Sequence, residues 1–103
     1  VRRGDVVAVH SVRRGRAEAL ELIAHGDRRT SRVVGRRIDE LGLPEGVMIG
    51  ALVRAAADGG EPVVIIPHHD TVIEEGDRVI VFLHRKRLVR DIEKLFSVRA
   101  TFF

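Results

Sequence analysis

Apolar residues fall in short blocks along this chain, separated by glycine, proline and runs of charge. Residues 5–12, Asp-Val-Val-Ala-Val-His-Ser-Val, are β-branched and loosely alternating, which predicts a strand. Arg13-Arg14-Gly15 reads as a turn. Residues 16–25 are ambiguous. Their Ala, Glu and Leu content favours helix, whereas Leu20, Leu22 and Ala24 alternating with Glu21 and Ile23 fit a strand. After the polar stretch 26–32, Thr30 or Ser31 is placed to cap a helix. Val34, Ile38 and Leu41 then fall at i, i+4 and i+7, one helical face. Gly42 would stop that helix and Pro44 prevent its return, leaving about three turns.

The second half is easier to divide. Residues 47–54 are apolar on both faces, as in a buried strand. Asp58-Gly59-Gly60 is a turn signal, and Val63–Ile66 form a further strand closed by Pro67, so the pair predicts a hairpin. His68–Thr71 is a loop, Val72-Ile73 a brief extended piece, and Glu74-Glu75-Gly76-Asp77 a tight turn into a strand over 78–83. Residues 85–96 form the clearest helix, with Leu88, Val89, Ile92, Leu95 and Phe96 in one stripe. The pattern predicts an α+β domain: a small, mostly antiparallel sheet with two helices.

Composition narrows this. The 103 residues make one domain with one compact core. With four Phe and no Trp or Tyr, that core is aliphatic, and few flat rings remain to stack on sugars or unpaired bases. The absence of cysteine excludes disulfides, thiolate metal sites and a cysteine nucleophile. The longest apolar stretches, Val47–Val53 and Val79–Leu83, are strand-sized and far short of the ~18 residues of a spanning helix. The chain opens at Val1 without an initiator Met, which suggests a fragment of a longer protein. The net charge of +3 is segregated. Residues 1–37 carry ten Arg against four acids, residues 38–83 two Arg against nine acids, and residues 84–103 six basic residues against two acids. Such ends suit an acidic partner surface, including the middle of a second copy, and equally a solvated face.

Candidate chemistry is sparse. Neither a G-x-x-x-x-G-K-[ST] nor a G-x-G-x-x-G cradle is present. His68, His69 and Asp70 are the most site-like cluster, but adjacent histidines point opposite ways if extended, and no third imidazole completes a metal site. No serine lies in a G-x-S-x-G setting. The pairs Asp39-Glu40 and Glu74-Glu75 are sequence neighbours that rarely converge on one substrate. The expectation is that no catalytic or metal site exists. Arginine clusters at Arg13-Arg14-Arg16, Arg28-Arg29-Arg32 and Arg36-Arg37 suit phosphate, a small anion or an acidic protein surface. A basic nucleic-acid-binding domain is the main alternative, and a small hydrolase using His68 or His69 the third.

Two stretches resemble a known family. Thr30-Ser31-Arg32-Val33-Val34-Gly35-Arg36-Arg37-Ile38-Asp39-Glu40-Leu41 is similar to the capped, glycine-containing helix of the C-terminal RCK (TrkA-C) subdomain. Thr71–Phe82 resembles that family's signature, an apolar segment leading into Glu-x-Gly-Asp and an apolar strand. Val47–Arg54 and Pro62–Pro67 match the hairpin expected between them, so the resemblance covers about residues 17–96. The leading segment up to Asp27 and the aromatic end Phe102-Phe103 are similar, more narrowly, to Trk-type potassium-uptake regulators, in which Ala17–His25 is a strand.

The resemblance implies residues 1–16 as a linker from a preceding Rossmann-like domain, 17–96 as the subdomain and 97–103 as a tail. It implies a non-enzymatic regulatory domain, cytoplasmic and peripheral at the inner face of the membrane. The implied partners are a second copy, the regulator's Rossmann-like domains and a membrane potassium-translocating subunit, with no nucleic acid. A nicotinamide or adenine nucleotide would belong to the missing N-terminal part, and no cofactor to this fragment. In relatives that bind a cyclic dinucleotide between paired subdomains, the matching positions here are Ile49, Ala51, Pro67 and His68. His68-His69 departs from those relatives, and Gly46 and Val47 stand where some of them place polar groups.

Overall fold

Strand-forming blocks of Val, Ile and Leu build one sheet, seen in a computed structural model that describes residues 5–12 and 17–98. The strands are β1 (Asp5–Val12), β2 (Ala17–Ile23), β3 (Val47–Arg54), β4 (Val63–Ile65) and β5 (Arg78–Leu83). They lie in the order β1-β2-β5-β3-β4, and every pairing is antiparallel. The ambiguous segment after residue 16 is thus a strand, placed between two others. The predicted turn at 13–15, the cluster Arg13-Arg14-Arg16 and the end Phe102-Phe103 lie outside the described residues.

Cross-strand register sorts the side chains into two faces. On the inner face Leu20, Val81 and Ile49 form one row, and Leu22, Val79, Leu52 and Ile65 another. All of these are buried except Ile65, which is partly so. The helix α1 (Val89–Phe96) covers that face with buried Ile92 and Phe96, assisted by partly buried Leu88, Val89 and Leu95. Its apolar stripe is the predicted one, preceded by a single 3-10 turn at Lys86–Leu88.

The expected α+β class is what the structure shows, with one α-helix in place of two among the described residues. The helix anticipated from Thr30 or Ser31 to Leu41 is an irregular segment ending in a 3-10 turn at Ile38–Glu40. Ser31 Oγ accepts the Val33 and Val34 amides at 3.0 and 2.9 Å, as a cap would, but no helix follows. Gly35 has φ +78°, a left-handed conformation that breaks the spiral. The backbone then turns to another partner. Gly35 N–H donates to Ile73 O at 2.7 Å, Ile73 N–H to Arg36 O at 3.1 Å, and Ile38 N–H to Thr71 O at 2.9 Å. These bonds with the brief extended piece 71–73 satisfy the groups that a helix would have satisfied internally. Val33, Val34 and Leu41 are still buried, so apolar spacing alone mimicked a helical stripe.

Candidate functional site

The sheet's outer face is unusually apolar. Phe82 sits between Ala19 and Met48, Ile80 between Glu21 and Ala51, and Val53 between Arg78 and Val64. Met48 is 60%, Val64 63% and Phe82 40% exposed, and Ile66, just past β4, is exposed as well. Single exposed apolar residues are ordinary, but several on adjacent strands form a patch that marks an interaction surface. Val64 and Ile66, alternate positions of the strand predicted over Val63–Ile66, both lie exposed.

A bulge at Gly50 sets this face. The β3–β5 register shifts between Ile49 and Ala51, so Ile49 pairs with Val81 inside while Ala51 pairs with Ile80 outside. The Phe82 ring lies over Gly50, where a Cβ would come within 2.3 Å of ring carbon Cε2. The glycine lets the largest side chain of the patch lie down on the strand.

The far end of β3 is held by a buried charge pair. Asp77, only 1% exposed, accepts from Arg54 Nε at 2.9 Å and Arg54 Nη2 at 2.8 Å, a bidentate pair. Asp77 Oδ2 also accepts the Glu74 amide at 2.9 Å, and Arg54 Nη2 donates to Val72 O at 3.0 Å. Glu74 adds a second carboxylate 3.2 Å from Arg54 Nη1. The hydrogen bonds that Arg54 donates to Asp77, opposed by burial, raise the Arg54 pKa above its ordinary value. The turn is tied to β2 by Gly76 N–H to Ala24 O at 2.7 Å and Ala24 N–H to Asp77 O at 2.9 Å. The Glu-x-Gly-Asp sequence is therefore a clamp joining the ends of β2, β3 and β5. Reading the sequence finds the motif but not Arg54 as its partner, 23 residues away in the chain.

The positions expected to meet a ligand are not gathered in one place. Ile49 is buried in the core and Ala51 faces the other side of the sheet. Pro67 is half-buried and His68 exposed in the loop after β4, where His68 N–H donates to Thr71 Oγ1 at 2.9 Å. The nearby exposed Asp39 is engaged by Arg37, whose Nε donates to it at 3.0 Å. That hydrogen bond holds the Asp39 carboxyl below the usual carboxylate range. Among the described residues, no group of three or more His, Cys, Asp or Glu is arranged to hold a metal ion, and no helix is long and apolar enough to cross a membrane.

A small antiparallel sheet with one covering helix, a Glu-x-Gly-Asp clamp and an apolar patch on the outer face characterise the domain. Residues 28–97 match the TrkA-C domain family, and the chain belongs to it. The whole chain is 57% identical over 103 residues to the Trk system potassium uptake protein TrkA of Halomonas elongata. It is 54% identical over 97 residues to the protein of that name from Vibrio alginolyticus, and 49% over 102 residues to that from Haemophilus influenzae. These alignments take in 100%, 94% and 99% of this chain but only 21%, 20% and 21% of those proteins. The chain spans about a fifth of the length of the curated relatives it matches.

Proposed function

We propose that this domain is the pairing module of a potassium-uptake regulator, and that it acts by how it packs against a second copy of itself and not by catalysis. Membership of the TrkA-C family and the names of the relatives support the potassium-uptake setting. One observation carries the pairing: the exposed outer face built from Met48, Val64 and Phe82. Covering such side chains contributes about 1.5–3 kcal/mol each when burial is complete.

In this reading residues 17–96 are the module, 1–16 lead from a Rossmann-like domain that holds the nucleotide, and 97–103 are a tail. The regulator sits at the cytoplasmic face of a membrane potassium-translocating subunit. Signalling requires only that an effector favour one packing of the paired modules over another, by about 1–3 kcal/mol. A small ligand between the modules would meet Ala51 and the Pro67–His68 loop, while Ile49 would act from beneath the sheet.

Sedimentation equilibrium of the 103-residue chain tests the pairing. The expected mass is twice the 11.5 kDa of one chain. Met48→Glu with Phe82→Glu should give a folded monomer. A native chain that sediments as a single copy across the micromolar range, or a charged variant that still pairs, rules the interface out.

A further inference from the structure

The loop that leads from β2 into the irregular segment gathers four arginines that the pairing face does not use. Arg28, Arg29, Arg32 and Arg36 line one concavity of about 160 Å³, closed on one side by Ser97 at the end of α1. Two of them are fastened to backbone: Arg28 Nη1 donates to Gly35 O, and Arg36 Nη2 donates to Arg28 O at 3.3 Å. Each bond uses one of a guanidinium's five donors and orients the rest. Among the described residues no carboxylate pairs with any of the four. The loop's own acid is committed elsewhere. Asp27 Oδ1 accepts the Arg29 amide at 2.9 Å, the Thr30 amide at 3.0 Å and the Thr30 hydroxyl at 3.2 Å. It shapes the loop chiefly through these bonds and attracts the Arg29 guanidinium without forming an ion pair with it.

We propose that this concavity is a binding site for a diphosphate group. Clustered guanidinium groups are unfavourable without a counter-anion, and their planar forks match phosphate oxygens two at a time. The volume is below the roughly 300 Å³ at which pockets hold a whole small organic ligand. It suits a compact, multiply charged anion. Arg29 and Arg32 supply donors not engaged within the fold, and Arg28 and Arg36 form a fixed wall. The site stands on the Arg28–Arg36 loop and is independent of whether the sheet face pairs.

Calorimetric titration of the chain with inorganic pyrophosphate at constant ionic strength tests this. One pyrophosphate per chain should bind, more tightly than phosphate. Arg29→Gln with Arg32→Gln should weaken it at least about tenfold. Arg85→Gln with Arg90→Gln, a change of equal charge elsewhere on the surface, should not. Uridine diphosphate binding as tightly as pyrophosphate would identify a nucleoside diphosphate as the source of the group, and much weaker binding would identify the free anion. The proposal is overturned if pyrophosphate shows no saturable binding beyond that of chloride, or if both double variants weaken it equally. It is overturned as well if a short duplex DNA binds the same arginines more tightly than pyrophosphate does.

Discussion

On the inner face of the sheet Leu20, Leu22, Leu52, Val79 and Val81 are fully covered, while one position along the same strands Met48 and Phe82 stand in the open. Both faces carry large apolar side chains, and the outer one adds the charged Glu21 and Arg78. What separates them is what lies above: helix α1 and the 33–41 segment on one side, and none of this domain's helix on the other. An apolar strand thus says that both faces will be covered, and the fold decides which is covered from within. In the pairing proposed above, a second copy would cover the outer face.

The sharpest way to test this contrast is to place one charge on each face. Val81→Asp puts an unpaired carboxylate in the core and should unfold the domain, costing several kcal/mol, on the order of 4. Circular dichroism reads the loss directly. Phe82→Asp, the next residue, should leave the melting temperature of the monomer nearly unchanged. If both variants unfold, the outer face belongs to the core.

The clamp gives the next largest effect, and it is asymmetric. Arg54→Leu leaves Asp77 charged and buried, which costs about 3–5 kcal/mol in urea unfolding. Asp77→Asn leaves Arg54, whose side chain is 27% exposed, with Glu74 and water to turn to, and should cost nearer 2 kcal/mol. The reverse order would show that Arg54, and not Asp77, is the member that depends on the pair.

Gly50→Ala is a finer probe. The added methyl must displace the Phe82 ring, whose far edge is free to move, so the stability cost should stay under about 1 kcal/mol. Pairing should weaken more than folding, because the ring leaves its seat on the outer face. A loss of stability equal to the loss of pairing would mean that Phe82 serves the fold.

The smallest effect is in acid. Asp27, through the Arg29 and Thr30 amides, and Asp39, through Arg37, are both held below their ordinary values. A carboxyl depressed on folding contributes stability above its unfolded value and loses it as pH falls through the folded one. Melting temperature should therefore decline below about pH 4. Concentrated salt should remove more of the Asp39 share, which comes from an exposed ion pair, than of the Asp27 share, which comes from backbone amides. Asp27→Asn should flatten the decline, and an unchanged acid limb would exclude that carboxyl.

The strands and the last helix are readable from the sequence because their period is local: alternation at 78–83, and a stripe from Leu88 to Phe96. The false helix at 31–41 shows the limit. Val34, Ile38 and Leu41 have helical spacing, but the hydrogen bonds of that segment go to 71–73, and the left-handed Gly35 is invisible to periodicity. The bulge at Gly50 is hidden for a similar reason. Ile49 and Ala51, two apart, should share a face, and the register shift divides them. Arg54 and Asp77 are each visible as charges at strand ends, yet their pairing depends on which strands become neighbours, and no short-range pattern encodes that. The arginines at 28–36 are visible as a cluster, but that four of them line one hollow follows only from the turn at Gly35.

The claim that the outer face exists to be covered by a second copy is tested most directly by the concentration dependence of thermal unfolding. A paired native state melts at higher temperature as protein concentration rises, and an unpaired one does not. Over about a hundredfold range of concentration the native chain should gain several degrees, and the Met48→Glu/Phe82→Glu variant none. A native melting temperature that stays flat across that range would contradict the account.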